Sequence, residues 1–520
     1  MVGGYAGKIL KVDVSDARVE RLPLDLEMAR RFIGGRGVMN KLLWDLVEPG
    51  TGALDPANPL MIFGGPITGM PSSANVVIRC KSPLTASKRG KNLIAHAVSG
   101  GQWGAELKLA GWDGVIVTGK AERPVYLYVD DEDVTVGDAS HLWGTTCWQT
   151  EVRIKKETDL LARVLSIGPA GENLVRYASI EQEFFRSIAR CGGGAVMGSK
   201  NLKAIAVRGT GDLPIADKEA TFSIMRERWL QPFNNPSAFY SRRRWGTSCG
   251  TIGASDRSTG PLKNFKETFW GDEVELAGGL QWESRNRVKN RSCFGCPATC
   301  MQLGVTRTGP YAGTIDSPDY DSTELIGPNC LVTDKDGMYA ISSYMDEMGV
   351  DSISAGVVLS WAMECYERGS LSREELDGID LTWGNVPAML EITEKIVRRE
   401  GIGDLLAEGV KLASEKVGQG TEKYAIHAKG VEFGSGGIAN NRNVAQCYNC
   451  GMSPYGGVHH YGTSIDAQNV QSMCDSLTIC TFIGRGLGWA PLSKLLNAVT
   501  GEDMISSFEE WNRIAHRSLI

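Results

Sequence analysis

A chain of 520 residues with 42% hydrophobic content is long enough for about three domains with real cores. Its net charge of -6 argues against a nucleic-acid binder, which would carry a basic face, and no apolar run reaches the roughly 20 residues needed to cross a bilayer. The 13 cysteines are odd in number and unevenly spread, and no signal-peptide pattern opens the chain, so thiolate ligands and buried thiols in a cytoplasmic protein are expected rather than a disulfide framework.

In chain order, residues 5–14 and the run after Ser15-Asp-Ala-Arg predict an N-terminal hairpin. A connecting helix over Leu26 to Phe32 follows. Strands are then predicted at Pro59 to Gly64, Asn75 to Cys80, Gly114 to Gly119 and Val125 to Val129, with another helix from Gln149 to Thr158. After residue 210 the pattern changes to amphipathic helices, Lys218 to Trp229, Ala355 to Arg368, Val386 to Arg399 and Gly403 to Val417. No short-period repeat or low-complexity linker is visible. The class is therefore α+β, with a β-rich first domain and helices beyond it.

The 63 glycines are well above the roughly 7% average and concentrate in polar loops of the first domain. These are Gly34-Gly35-Arg36-Gly37, Gly64-Gly65-Pro66-Ile67-Thr68-Gly69, Ser99-Gly100-Gly101 and the run from Arg190 to Lys200. Glycine lets backbone N–H groups approach a phosphate or polar heterocycle, while a nearby arginine supplies charge. None has the strand, G-x-G-x-x-G, helix order of a dinucleotide fold or the Walker phosphate-loop pattern. Four such loops in one domain predict a large anionic ligand.

Cys293-Phe-Gly-Cys296-Pro-Ala-Thr-Cys300 places three thiols in eight residues, the pattern of a metal centre lacking one ligand. Cys480 is one candidate for the fourth thiolate. The second CxxC, Cys447-Tyr-Asn-Cys450, is another, and with Cys293 and Cys296 it would make a four-thiolate zinc site in a binding protein without redox chemistry. Cys330, Cys365 and Cys474 read as buried thiols. Asp346-Glu-Met-Gly-Val-Asp351 and Asp475-Ser-Leu-Thr-Ile-Cys480 share a shape, an aspartate followed five positions later by an acid or a thiol. In the first, Gly349 can close one helix and Asp351 cap the next; alternatively, the aspartates hold a pterin ring through paired N–H groups.

Together these segments resemble the aldehyde:ferredoxin oxidoreductase family over essentially the whole chain. The resemblance is most specific at Phe32-Ile-Gly-Gly-Arg-Gly, Lys81-Ser-Pro-Leu-Thr, Glu106-Leu-Lys-Leu-Ala-Gly-Trp-Asp-Gly, Ile167-Gly-Pro-Ala-Gly-Glu-Asn and Ala195-Val-Met-Gly-Ser-Lys-Asn-Leu-Lys-Ala. It implies a tungsten or molybdenum bis-pyranopterin with Mg2+ bridging the pterin phosphates, and a [4Fe-4S] cluster. The expected organisation is a pterin-binding β domain (1–210), a helical domain with the cluster motif (211–425) and a shorter helical domain (426–520), with the cofactor buried at their junction.

Position by position, the resemblance makes Cys293, Cys296, Cys300 and Cys480 the cluster ligands. Arg79, Ser99, Gly100, Gly101, Arg190, Asp346, Asp351 and Asp475 become cofactor-binding residues. His459 or His460, with Asp319 or Asp321, become the acid–base candidates, ahead of Glu324. His96, His141, His427 and His516 read as structural. Thr478 and Cys191 stand where the family has glycine, and Val350 and Ile479 where it has leucine. Relatives are expected to continue beyond Ile520, and the roughly 20 residues between His459 and Cys480 look short for the family.

The implied reaction oxidises an aldehyde to a carboxylic acid, or the reverse, with electrons passing to ferredoxin or an iron–sulfur partner subunit, in a homodimer or a larger complex. Tyr177-Ala-Ser-Ile-Glu-Gln and Asp138-Ala-Ser-His-Leu are similar to the tungsten subunit of benzoyl-CoA reductase, where the same cofactor serves a low-potential reductase acting on a thioester.

Overall fold

The computed structural model describes residues 2–85, 92–227, 242–256, 258–271, 285–435, 450–458, 460–461 and 464–519. The N-terminal region is β-rich and the remainder mostly helical. The first sheet contains β1 (Lys8–Asp13), β2 (Arg18–Pro23), β3 (Leu60–Phe63), β4 (Val76–Arg79), β5 (Ala97–Ser99) and β6 (Gly114–Thr118), in the order β2-β1-β6-β3-β4-β5. The second contains β7 (Val125–Asp130), β8 (Asp133–Asp138), β9 (Arg163–Ser166), β10 (Ile180–Gln182), β11 (Arg186–Ile188) and β12 (Leu202–Arg208), in the order β8-β7-β12-β9-β10-β11 when read from its hairpin.

The two sheets have one connectivity. Each starts with an antiparallel hairpin, β1–β2 or β7–β8. Its first strand pairs in parallel with the sixth, β6 or β12, and the third, fourth and fifth strands follow antiparallel. The domain is thus an internal duplication of about 100 residues, a period too long and too diverged for the repeat reading of the sequence to register. Gly65-Pro66 after β3 and Gly168-Pro169 after β9 are among its surviving echoes.

The inner strands of the first sheet are covered on both faces, which is why β3 is a continuous apolar run, whereas the edge strand β2 is exposed and mixed in character. In β3, Leu60 and Ile62 join one core with the central helices, while Met61 and Phe63 point the other way into a second core with the C-terminal helices. The predicted strands and hairpin agree with the observed ones to within a residue or two. Helix α1 (Gly35–Leu46) begins in the first glycine loop. Among the predicted helices, Gly403 to Val417 is corrected: it is two helices, Ile402–Leu406 and Val410–Val417, broken where Gly409 takes φ +85°. The helix predicted from Lys218 is seen over Lys218–Met225, and Trp229 lies outside the described residues.

Beyond the β domain, β13 (Arg287–Arg291), β14 (Met301–Val305) and β15 (Ile315–Asp316) form a small antiparallel sheet. Helices α2 (Tyr320–Ile326), α3 (Lys335–Met348), α4 (Ser352–Glu367), α5 (Ile465–Leu477), α6 (Thr481–Leu487) and α7 (Phe508–Leu519) carry most of the remaining residues of interest. No helix among the described residues is long and apolar enough to cross a membrane.

Candidate functional site

The two aspartate motifs end two helices, and each helix end is seated by one half of the duplication. Gly65 lies so close to the end of α5 that a Cβ there would be 2.7 Å from the Ser476 carbonyl oxygen; a Cβ on Gly168 would be 2.3 Å from that of Met348 at the end of α3. Only glycine permits these approaches. The seats are hydrogen-bonded as well. Ser179 N donates to Gly349 O at 2.9 Å and Asp351 N to Tyr177 O at 3.0 Å in one half; Gly65 N donates to Thr478 Oγ1 at 3.0 Å and Cys480 N to Ser72 O at 3.3 Å in the other.

The chain turns left-handed at Gly349 (φ +73°) and at Thr478 (φ +60°). Thr478 and Cys191 (φ +70°), the two departures from glycine, both occupy positive-φ positions. At Thr478 the Oγ1 bond to Gly65 offsets part of the cost. Asp351 caps α4 through Ile353 N at 3.0 Å and also accepts from Ser354 Oγ at 2.8 Å and Arg190 Nη1 at 3.4 Å. It therefore does the structural task read from its position and holds an arginine of the glycine-rich segment at the same time.

Around Asp475 a buried polar cluster assembles from distant parts of the chain. Its Oδ2 faces His96 Nε2 at 3.0 Å and accepts from Arg36 Nη1 at 3.3 Å and Tyr461 Oη at 2.7 Å, while Gln471 Nε2 donates to Oδ1 at 2.8 Å. Arg79 donates to His96 Nδ1, leaving Nε2 to carry the proton toward Asp475, and also binds Asn40 Oδ1 at 2.7 Å. Burial, followed by the Arg79 charge, pushes His96 down to about 3, so the ring is neutral at physiological pH. Desolvation alone would raise Asp475, but His96 and Arg36 outweigh it and hold the carboxyl far below its ordinary value.

With His96 neutral, two buried guanidiniums face one carboxylate, an excess of one positive charge. Arg36 Nη2 is buried without a hydrogen-bond partner. This is the electrostatics of an anion site. His96, read from the sequence as structural, lies at the centre of this cluster, its ring 4.7 Å from that of Tyr455 and 5.5 Å from that of Tyr461; Arg36, Tyr455 and Tyr461 were not among the sequence candidates. Arg36 had a signal, the glycine loop that contains it, whereas His96 sits in no pattern because its partners come from four separate segments.

The equivalent aspartate in the other half has the opposite surroundings. Burial, then the carboxyls of Glu181, Asp316 and Asp319, push Asp346 well above its ordinary value. Burial likewise raises Glu181 and Asp316. Asp319 caps α2 through Ser322 N at 2.8 Å, and the buried Asp321 accepts from Ser435 N at 2.9 Å. Glu324 on the same helix is 2% exposed and strongly raised by burial, with Oε1 unpartnered, and it lines a small pocket with Thr251, Ser255, Trp270 and Pro328. These properties make Glu324 a proton-holding carboxyl that the sequence ranking placed behind its neighbours. His460 is exposed, and His459 lies outside the described residues.

The three clustered thiols lie on the loop joining β13 to β14, closed by Cys296 N donating to Cys293 O at 3.1 Å. Phe294 N donates to Gly101 O at 3.0 Å, tying this loop to the Ser99-Gly100-Gly101 loop; a Cβ on Gly100 would be 2.6 Å from Cys293 Sγ. Gln182 Nε2 fixes the glycine loop through Ser99 Oγ at 3.2 Å and Gly100 O at 2.9 Å. Cys480 comes from the N-terminus of α6. Its thiol is raised by burial and then by the nearby Cys293, Cys300 and Cys296 thiols, so Cys480 shares its surroundings with the thiol loop. No three His, Cys, Asp or Glu side chains among the described residues converge on a single metal ion. Cys450 is buried, and Cys447 lies outside the described residues.

The cluster around His96 yields a pH test. Unfolded, His96 takes a proton below about 6.5; folded, it stays neutral down to about 3, so between these values the unfolded state binds the extra proton and stability is lost as pH falls. The stability advantage of the wild type over His96→Gln is expected to shrink by about 1.6 kcal/mol in total as pH drops from 6.5 to 5. Parallel denaturation midpoints for the two proteins across that range would refute the buried neutral imidazole.

Residues 9–209 match the family description "Aldehyde ferredoxin oxidoreductase, N-terminal domain", and residues 225–519 match its "domains 2 & 3". Among curated relatives, a tungsten-containing aldehyde ferredoxin oxidoreductase of Pyrococcus furiosus is 36% identical over 99% of this chain and 87% of its own length. A second Pyrococcus furiosus protein, the WOR-like subunit of an aliphatic sulfonate oxidoreductase, is 34% identical over 98% of this chain and 83% of its own. Among solved structures, the active-site complex BamBC of benzoyl coenzyme A reductase with 1,5-dienoyl-CoA superposes with a TM-score of 0.83 at 26% identity, covering 100% of this chain and 88% of that one. A duplicated β domain seating two aspartate-bearing helix ends, four gathered thiols and a match running almost from end to end converge on one assignment: this chain belongs to the aldehyde ferredoxin oxidoreductase family of oxidoreductases.

Proposed function

We propose that the protein oxidises an aldehyde to the carboxylic acid, or catalyses the reverse, at a tungsten or molybdenum bis-pyranopterin, with a [4Fe-4S] cluster passing electrons singly to ferredoxin or an iron–sulfur partner subunit. The observation that carries this reading is the presence of two unlike sites, a buried cationic cluster around Arg36 and Arg79 and a group of half-buried thiols on the loop bonded to Gly101, with Cys480 in the same surroundings. Each has a buried guanidinium nitrogen without a partner, Arg36 Nη2 and Arg186 Nη2, as an anionic guest requires.

In this assignment Cys293, Cys296, Cys300 and Cys480 hold the cluster. Arg79, Arg190, Asp346, Asp475 and the Ser99-Gly100-Gly101 loop hold the pterins and their phosphates, with Mg2+ between the phosphates, while Asp351 positions Arg190. The pterin-bound metal supplies a two-electron acceptor that polarises oxygen ligands. The overall conversion, aldehyde plus water to acid, releases two electrons and two protons. Asp321, Glu324 or the His459-His460 pair takes up a proton from the reacting oxygen; Glu324 is buried and its carboxyl raised by that burial.

A second reading is a low-potential reductase subunit in a larger complex. The overlap with the benzoyl coenzyme A reductase structure over the full chain favours it. Elemental analysis of anaerobically purified protein, with spectra before and after dithionite, tests the cofactor set. About one W or Mo and about four Fe per chain, with brown absorption that bleaches on reduction, are expected. Dye-linked aldehyde oxidation by the isolated chain then supports the first reading, and turnover only with a co-purifying iron–sulfur subunit supports the second. About one Zn per chain without iron would refute both.

A further inference from the structure

We infer that Arg186 sets the reduction potential of the iron–sulfur cluster, its buried guanidinium placing a positive charge beside the cysteine thiols while Glu183 acts as the opposing charge. This rests on the reading of the four thiols as a cluster site. Arg186 opens β11, just after the three-residue turn Glu183-Phe184-Phe185 that links it to β10. Glu183 and Phe184 take φ of +54° and +70°, and Trp148 Nε1 clamps the turn by donating to Phe184 O at 2.7 Å. A turn held in this way delivers Arg186 to one place, the face of Gly100. A Cβ on Gly100 would be 3.4 Å from Arg186 Nη1 and 2.6 Å from Cys293 Sγ, so guanidinium and thiol meet across the same glycine.

The Arg186 side chain is 11% exposed and its Nη2 is buried without a hydrogen-bond partner. Its nearest carboxylate is that of the buried Glu183, 3.5 Å from Nε and 3.9 Å from Arg291 Nη2. Neither Glu183 oxygen has a hydrogen-bond partner. Arg186 and Glu183 thus form an opposed pair of charges beside the thiol loop, in a place that salt screens weakly.

Adding one electron to the cluster makes it more negative without making or breaking a bond. A buried cation beside its cysteine ligands favours that reduced form and raises the potential. Glu183 opposes the effect. The geometry therefore demands shifts of opposite sign from two neighbouring residues, which a merely structural ion pair would not produce.

The test is an anaerobic EPR-monitored redox titration of the holoprotein as wild type, Arg186→Gln, Arg186→Lys and Glu183→Gln, with iron counted in each. In Arg186→Gln the ratio of reduced to oxidised cluster at a fixed solution potential is expected to fall about tenfold, a midpoint about 59 mV lower for a one-electron couple. Arg186→Lys keeps the charge and is expected to shift less, and Glu183→Gln is expected to move the midpoint upward. If Arg186→Gln loses iron, the lysine and Glu183 variants decide the sign. An unmoved midpoint in Arg186→Gln with iron retained, or a downward shift in Glu183→Gln, overturns the inference while leaving the cluster in place. Absence of iron from the wild type overturns the cluster reading and this inference with it.

Discussion

Replacing Asp475 with alanine is expected to destabilise the protein by about 3–5 kcal/mol, the cost of removing one partner from a buried charge pair. The carboxylate is 2% exposed and is the counter-charge shared by Arg36 and, through His96, by Arg79. Its loss also strands the Tyr461 hydroxyl and the Gln471 amide, each of which donates to it. Asp346→Ala, at the equivalent position of the other half, is expected to be neutral or stabilising, because it removes a carboxyl crowded by Glu181, Asp316 and Asp319. Denaturation midpoints of the two variants measured side by side check this. Equal losses would mean that the two halves are electrostatically alike and would refute the contrast between Asp475 and Asp346.

Cys480→Ala is expected to abolish the iron–sulfur centre, dropping iron from about four per chain to three or fewer and removing the absorption that bleaches with dithionite. The fold should survive, since the side chain of Cys480 makes no capping bond to α6. Cys447→Ala, by contrast, should keep its full iron. Under the four-thiolate zinc alternative the outcomes reverse, with Cys447→Ala releasing the metal and Cys480→Ala retaining it. Metal analysis of both variants separates the two ligand sets without any assay of activity.

The two variants probe different kinds of information. Spacing within eight residues made the thiol loop legible, because a short turn leaves its sulfurs few directions in which to point. The same holds for the β1–β2 hairpin and for Gly349 closing α3 ahead of the Asp351 cap, where local periodicity and capping chemistry act over a few residues. The bonds of Asp475 to Arg36 and His96 span 439 and 379 positions, and no local pattern records them.

By itself the sequence determined the α+β class, about half the strands of the first domain, the Gly349 stop and Asp351 cap between α3 and α4, and the close spacing of three thiols, all features governed by neighbouring residues. Tertiary structure alone decided that the first domain is a duplication, that each half seats one aspartate helix, and that one aspartate stands among cations while its counterpart stands among acids. The physical reason is range. Backbone propensity and turn chemistry act along the chain, whereas burial and charge act through space, and only the folded arrangement of the two sheets brings Arg36, Arg79 and His96 to Asp475, and Arg186 to the thiols.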